Sequence, residues 1–367
     1  MVLIAALLGV FSLYFLQGRL YRKYWAKNLS TTIHFSKSIA VEGDENQLIE
    51  TVINKKLLPL PLLKVKFMTS KDLEFMDGTN STVTDNYYRN DLLPIMMYQK
   101  LTRTLPFVCS HRGYYNISSI ELVCSDIFIS FEGVLTKPAN TSLYVYPKSV
   151  DANKLTPPFQ KILGTLLTKR YLYEDPFEFR SIREYQFYDT LKSINWKASA
   201  KTGSYMVNVK DYTASQEVKI LLNLEQESIW RYEDLEEESI RLTASLASSF
   251  MEQGIPISIA TNGKDLVTKE TVVLPAGSGS SHLNGLYEAL SRIDTSLPKG
   301  SFVHTVWEDT PVDYLIIISY YQKEDLQELL LSLQRKKIDF TWIIPTNQEL
   351  KVTARETLQP AIVEWKL

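Results

Sequence analysis

The residues best suited to chemistry or to recognition are concentrated between Arg180 and Gly203, where the chain reads RSIREYQFYDTLKSINWKASAKTG. No other part of the chain mixes charged, aromatic and small side chains at this density. The mixture favours two interpretations. In the first, Tyr185 and Trp196 pack the segment onto a neighbouring sheet while Arg183 pairs with a nearby carboxylate, Glu184 or Asp189. In the second, the segment is a docking surface for a partner.

Charge favours a local basic site over a basic protein. The chain carries 40 lysines and arginines against 42 aspartates and glutamates, so no global field attracts nucleic acid. The segment from Lys161 to Lys210, however, contains nine basic and five acidic residues. Such an excess fits an acidic patch on a partner or an anionic membrane surface. Stacking of its aromatics on nucleic acid is the weaker alternative, and we predict no nucleic-acid partner.

The sequence contains no phosphate-binding loop, no dinucleotide fingerprint and no nucleophile elbow, so the common enzyme classes lack their backbone machinery. The stretch GSGSSH, ending at His282, is glycine- and serine-rich at a predicted helix start, which favours a surface loop with a capping serine. Ser281 and His282 are adjacent and do not form a catalytic pair. We therefore predict a protein that is not an enzyme and uses no cofactor.

Cysteine usage gives little support to a disulfide or a metal site. Cys109 and Cys124 are the two cysteines of the chain, and they flank a predicted turn. A single possible pair in a chain of 367 residues favours free thiols. With no C-x-x-C pair and four scattered histidines, metal ligation is not expected.

The amino-terminal residues suggest a membrane anchor. Val2 to Leu16 are apolar and uncharged, and basic residues follow at Arg19, Arg22 and Lys23. A cleaved signal peptide, which would carry its basic residues before the apolar run, is the alternative, and a buried strand or helix is another. We predict an uncleaved, single-pass anchor over residues 1–20 with the body of the protein in the cytoplasm.

The remaining chain separates into a β-rich half and a half in which strands and helices alternate. Short strand-like segments with turn signals between them predict an all-β, immunoglobulin-like sandwich over residues 21–150. A connector follows over 151–215. Over 216–367 apolar strands at Val218–Leu224, Ile255–Thr261 and Asp313–Tyr320 alternate with amphipathic helices, which predicts an α/β domain with an open parallel sheet.

The segment that begins at Arg180 resembles the signature of the bacterial domain-of-unknown-function-58 family, in which R-E-Y is followed by a turn ending in Asp and then by I-D-W-K-A-x-A-x-T-G. The positions that match are Arg183, Glu184, Tyr185, Asp189, Trp196, Lys197, Ala198, Ala200, Thr202 and Gly203. Two positions depart: Tyr188 replaces the glycine of the turn, and Asn195 replaces the aspartate before the tryptophan. The loss of that carboxylate argues against acid-base chemistry or cation binding by the segment.

The resemblance implies a layout and partners. It implies a membrane segment, a β-sandwich, the signature and a Rossmann-like domain similar to von Willebrand factor A. It also implies work beside a MoxR-type AAA+ ATPase and other von Willebrand-domain proteins in the assembly or maturation of protein complexes. The candidate partner-binding residues are Arg183, Glu184, Tyr185, Asp189, Asn195, Trp196 and Lys197.

The ends of the α/β strands supply a second candidate patch, near Asn223 and Glu225. Metal sites of the von Willebrand type use D-x-S-x-S at the first strand end, where this chain has Asn223, Glu225 and Glu227. We predict no metal there and solvated glutamates. Two alternatives to a membrane-anchored scaffold stay open: a divalent-metal-dependent binding or enzymatic domain at these strand ends, and an envelope structural protein.

Overall fold

The structure is a computed structural model and describes residues 2–84, 86–172, 174–187, 189–212, 217–228, 230–305 and 314–367. The chain divides into two units. The first is Met1–Lys148 with Leu290–Arg292, and the second is Ser149–Ala289 with Ile293–Leu367. The two are described separately below.

The first unit is one helix followed by strands in two sheets. The elements are α1 (Val2–Tyr24), β1 (Leu29–Phe35), β2 (Ile39–Val41), β3 (Glu45–Asn54), β4 (Leu62–Ser70), β5 (Leu73–Phe75), β6 (Ser81–Val83), β7 (Asn86–Leu92), β8 (Lys100–Cys109), β9 (Gly113–Ser125) and β10 (Glu132–Tyr146). The sheets have the strand orders β1-β3-β8-β5 and β2-β10-β9-β4-β7-β6.

The two sheets share one hydrophobic core and form a β-sandwich. Residues on β3 and β4 alternate between buried and exposed, the period-2 pattern of a strand with one face inward. Leu48 and Phe107 from one sheet belong to the same buried cluster as Val65 and Leu122 from the other. The expected β-sandwich is therefore present.

Both cysteines of the sandwich are free thiols inside this core. Burial raises the pKa of Cys109 to about 11 and that of Cys124 to about 12. At neutral pH both are protonated and pack as small apolar side chains, in agreement with the predicted absence of a disulfide.

A network of charged side chains is also buried in the sandwich. Arg89 Nε lies 2.5 Å from Asp91 Oδ2, and Arg103 Nη1 lies 2.7 Å from Asp91 Oδ1. Both arginines also contact Asp77. Glu50 is paired in register with Arg103 and is 1% exposed, but neither of its oxygens has a hydrogen-bond partner among the described residues. Burial, and then the negative charge of Asp91, raise the pKa of Glu50 to about 7.

The prediction of a membrane anchor over residues 1–20, with a cytoplasmic body, is wrong. Among the described residues, no helix combines the length and the apolar character needed to cross a bilayer. The second half of α1 instead contacts the sandwich: Gln17 Nε2 donates to Asp126 Oδ2 at 2.7 Å, and Tyr21 Oη donates to the Pro59 carbonyl at 2.7 Å.

The second unit combines a two-stranded and a seven-stranded sheet with helices. Its elements are α2 (Ala152–Leu172), β11 (Glu174–Glu184), a 3₁₀ turn (Leu191–Ser193), α3 (Trp196–Thr202), β12 (Met206–Tyr212), β13 (Val218–Asn223), α4 (Glu233–Glu252), β14 (Ile257–Asp265), β15 (Thr271–Gly277), α5 (Ser280–Ser291), β16 (Ile293–Asp294), α6 (Phe302–Thr305), β17 (Tyr314–Ser319), α7 (Glu324–Arg335), β18 (Phe340–Thr346), a second 3₁₀ turn (Glu356–Ala361) and β19 (Ile362–Lys366). The large sheet has the order β15-β14-β13-β17-β18-β19, and β16 also pairs with β14.

The predicted fold class, an open parallel sheet of the von Willebrand factor A type, is wrong. The large sheet is mixed, because β15 and β16 both run antiparallel to β14. The described chain as a whole is rich in strands, β1 to β19 in four sheets. The reason for the mixed sheet lies after β14: Asp265 accepts a backbone hydrogen bond from Lys269, whose φ is 61°, in a tight turn. A turn this short returns the chain antiparallel, whereas a parallel neighbour would need a crossover.

We expect the Glu50→Gln variant to change how the stability of the sandwich depends on pH. The folded protein keeps the Glu50 proton up to about pH 7, whereas the unfolded chain releases it near pH 4.5. The folded state therefore binds more protons in this window, and wild-type stability falls as pH rises through it, by on the order of 3 kcal/mol. The glutamine variant lacks this loss and should be the more stable protein at pH 8.

The measurement is urea unfolding at pH 5 and pH 8, followed by hydrogen exchange of peptides from the sandwich strands. Because the two units need not unfold together, exchange in peptides of the second unit serves as the internal control. If the free energy of unfolding changes equally with pH in wild type and variant, Glu50 is ionised in the folded protein.

Candidate functional site

The signature segment connects the two strands of a hairpin. β11 and β12 pair antiparallel, with Arg183 opposite Val207 and Glu184 opposite Met206. The backbone N–H of Tyr185 then donates to the carbonyl of Tyr205 at 2.8 Å. The chain between Tyr185 and Tyr205 therefore leaves the hairpin after β11 and returns to it before β12, and we call this segment the excursion.

An ion pair closes the turn at the start of the excursion. Arg183 donates from Nη1 to Asp189 Oδ2 at 2.7 Å and from Nη2 to Oδ1 at 2.6 Å, the bidentate geometry of a strong charge-assisted pair. The Gln186 N–H donates to Asp189 Oδ2, and the Asp189 N–H donates to the Gln186 carbonyl. The hydrogen bonds from Arg183 and then from Gln186 hold the pKa of Asp189 below its ordinary value. Of the two predicted partners of Arg183, the structure gives Asp189; Tyr188 lies outside the described residues.

Asn195 caps the helix that follows. Its Oδ1 accepts from the Ala198 N–H at 2.9 Å, and its Nδ2 donates to Asn208 Oδ1 at 2.6 Å. Its own N–H donates to the Met206 carbonyl at 2.8 Å, which ties the start of α3 to β12. Asparagine and aspartate cap helices about equally well, so the departure from the signature at this position preserves the structural role. Gly203, with φ 74°, ends the helix in the left-handed conformation.

Large apolar side chains of the excursion are exposed. Phe187 is 93% exposed, Leu191 73%, Trp196 66% and Tyr205 62%, and we call these four side chains the signature surface. Trp196 meets Tyr205 edge to face, with ring centroids 6.3 Å apart, and Tyr205 in turn meets half-buried Tyr185 at 6.4 Å. The interpretation that Trp196 packs onto a sheet is wrong. Exposed apolar side chains of this size on one short segment are candidates for an interaction site.

The charged candidates of the signature separate into a mutually paired group and, among the described residues, an unpaired, exposed group. Arg183 and Asp189 neutralise each other, whereas Glu184 and Lys197 are exposed. Lys192 and Lys201, which the sequence did not single out, are exposed as well. Lys197 and Lys201 lie one helical turn apart on α3, so they share a face of that helix.

The second candidate patch, at the ends of the parallel strands, is only partly exposed. Asn223 is fully buried, donates to Ser319 Oγ at 3.0 Å and accepts from Asn262 Nδ2 at 3.0 Å. Glu225 accepts from the Phe302 N–H at 2.9 Å, and Glu227 accepts from a backbone N–H on the loop after β17 at 2.5 Å. Both glutamates, predicted to be solvated, are half-buried, and their carboxylates also hold two loops in place.

A buried ion cluster adjoins these strand ends and was missed in the sequence. Glu236 is fully buried; it pairs with Lys299 Nζ and, at 3.0 Å, with Arg231 Nε. The Tyr320 hydroxyl donates to it at 3.3 Å, and burial followed by the charge of Glu236 raises the pKa of Tyr320. Glu236 belongs to an acidic run from Glu233 to Glu238, and nothing in the sequence distinguishes this fully buried member from the others.

The remaining sequence candidates have structural surroundings. His282 lies in the first turn of α5, and its Nε2 is 3.0 Å from the carbonyl of Ile257 on β14. Over the described residues, no group of three or more His, Cys, Asp or Glu side chains is arranged to hold a metal ion. The signature surface is therefore the arrangement best suited to a function.

Sequence comparisons converge on the region that contains this surface. A family model described as protein of unknown function DUF58 matches residues 181–306. The uncharacterized protein YeaD of Bacillus subtilis is 22% identical over 250 residues, which are 68% of this chain and 59% of that protein. The chain thus spans less than two thirds of the length of this curated relative.

Solved structures are similar only at low scores. A non-cellulosomal cohesin from Archaeoglobus fulgidus is 16% identical, with 32% of this chain and 91% of that chain covered and a TM-score of 0.22. The CARDB domain of a Pyrococcus furiosus protein is 13% identical, with 31% and 90% covered and a TM-score of 0.20. These scores do not define the fold of this chain. What the comparisons establish is a match of residues 181–306, including the signature surface, to a family whose description states no function.

Proposed function

We propose that this chain is a non-enzymatic scaffold or adaptor that binds a partner protein through the signature surface. The observation that carries the proposal is the exposure of Phe187, Leu191, Trp196 and Tyr205 on one short motif. Each keeps a large apolar area in contact with water, and a partner that covers it gains the free energy of removing that area from water.

The rest of the motif supports this role because it is built for rigidity. The Arg183 ion pair closes the turn, and the Asn195 cap fixes α3 against β12. A surface that is ordered before binding loses less conformational entropy when the partner arrives. Tryptophan and tyrosine, both present here, are the residue types that most often dominate the binding energy of an interface.

The partner we propose is a MoxR-type AAA+ ATPase, alone or with other von Willebrand-domain proteins. This part of the proposal rests on the family resemblance, which places such ATPases beside members of the family. The chain would supply recognition in the assembly or maturation of a protein complex, and the ATPase would supply the energy.

We expect the double variant Phe187→Ser/Trp196→Ala to bind the MoxR-type ATPase of the same genome at least about tenfold more weakly than wild type. Both side chains are exposed, so the free energy of unfolding should change by no more than about 0.5 kcal/mol per site. Biolayer interferometry with the two purified proteins measures the affinity, and urea unfolding checks the fold.

Trp230→Ala is the matched control, since Trp230 is 77% exposed on the loop after β13 and lies outside the signature surface. Equal binding by wild type and the double variant would overturn the signature surface as the docking site. Loss of binding in the Trp230 variant alone would assign recognition to the strand-end loops.

Arg183→Ala tests whether the turn must be rigid. Without the guanidinium, Asp189 loses its bidentate partner and the turn around Gln186 loosens. We expect faster hydrogen exchange at the Gln186 amide and weaker binding, although all four apolar side chains remain. Trp196→Ala should weaken binding without changing this exchange. Unchanged exchange in the Arg183 variant would mean that the backbone alone maintains the turn.

A further inference from the structure

The exposed charge around the signature surface is mostly positive. Lys192, Lys197 and Lys201 are exposed, and no ion pair involves them in the part of the chain that the structure describes. Between residues 181 and 205 the carboxylates are Glu184 and Asp189, and Asp189 is already bound to Arg183. Residues 181–205 therefore contain these three exposed lysines and one exposed carboxylate, that of Glu184.

These lysines adjoin the apolar side chains in the sequence. Lys197 follows Trp196 directly, Lys201 lies one turn further along α3, and Lys192 follows Leu191. A partner that covers Trp196 and Leu191 comes within reach of these long, flexible ammonium side chains. Burying an ammonium without a counter-charge is unfavourable, so a stable interface needs carboxylates at these positions.

We infer that the partner presents to the signature surface an acidic segment in which carboxylates alternate with apolar side chains. This rests on the proposed docking function and specifies its chemistry. The apolar residues of that segment would cover Trp196, Leu191 and Phe187, while its carboxylates would pair with the three lysines. Such pairs steer the encounter and select against partners with a basic face.

A protein segment fits the geometry better than single-stranded nucleic acid. Trp196 and Tyr205 meet at an interplanar angle of 85°, so the two rings do not offer parallel platforms for successive bases. The whole chain carries a net charge of −2, which does not attract a polyanion from a distance.

The test measures binding of the full chain to the purified MoxR-type ATPase between about 50 and 300 mM NaCl, a range in which screening of exposed charges strengthens markedly. Three proteins are compared with wild type. They are Lys192→Glu/Lys197→Glu/Lys201→Glu, the aromatic variant Phe187→Ser/Trp196→Ala, and a control with the same charge change, Lys55→Glu/Lys71→Glu/Lys100→Glu, whose lysines are also exposed.

We expect wild-type affinity to fall about tenfold across the salt range, the signature lysine variant to lose more than about tenfold at low salt, and the control to stay within about threefold of wild type. Wild-type affinity in the lysine variant, with loss in the aromatic variant, would overturn the acidic segment but leave the docking surface intact. No binding by wild type, or full binding by the aromatic variant, would overturn the proposed function and this inference with it. Tighter binding of a single-stranded 20-nucleotide RNA than of the ATPase, abolished by the lysine changes, would assign the surface to nucleic acid.

Discussion

The Arg183–Asp189 ion pair determines how the signature segment can be arranged. The two residues lie on either side of a turn, and each oxygen of the carboxylate receives one nitrogen of the guanidinium. Because a planar fork accepts a carboxylate in few orientations, the pair fixes the direction in which the chain leaves β11. The same turn carries Phe187 into solvent, and the chain then reaches the Asn195 cap. An exposed pair of this kind contributes little to global stability, so its importance lies in local order.

The two units treat buried charge differently. In the sandwich, Arg89, Arg103, Asp77 and Asp91 form ion pairs with one another, and Glu50 stays beside them without a hydrogen-bond partner among the described residues. At the strand ends of the second unit, Glu236 instead receives partners from three directions, including Lys299 and Arg231. Removing one partner of such a cluster strands a charge in low dielectric, which is more costly than never having buried the group.

Local sequence patterns predicted the positions of many helices and strands, whereas the direction of strands in the large sheet and the exposure of Trp196 could not be predicted from the sequence. The amphipathic helices predicted between the strands of residues 216–367 correspond to α4, α5 and α7, since amphipathic period is a property of neighbouring residues. The strand β15 and the mixed sheet were not predicted. The short turn before β15 determines that this strand runs antiparallel to β14, and amino-acid composition does not reveal that direction. Packing of Trp196 onto a sheet was one of two interpretations, since aromatic side chains are on average well buried. The exposure of Trp196 depends on the Asn195 cap, which orients the whole helix α3.

The hydrogen bond between Tyr185 and Tyr205 makes the signature excursion separable from its supporting strands. Its first and last residues are cross-strand neighbours, 2.8 Å apart from nitrogen to oxygen, and the intervening chain returns to β12 through Ile194 and Asn195. Its ion pair, its helix cap and its glycine terminator all lie inside that interval or on the adjoining rungs of the ladder. The excursion can therefore be treated as a transferable structural unit. It has the geometry to be grafted onto an unrelated β-hairpin, provided that Arg183 and Asn208 are transferred with it.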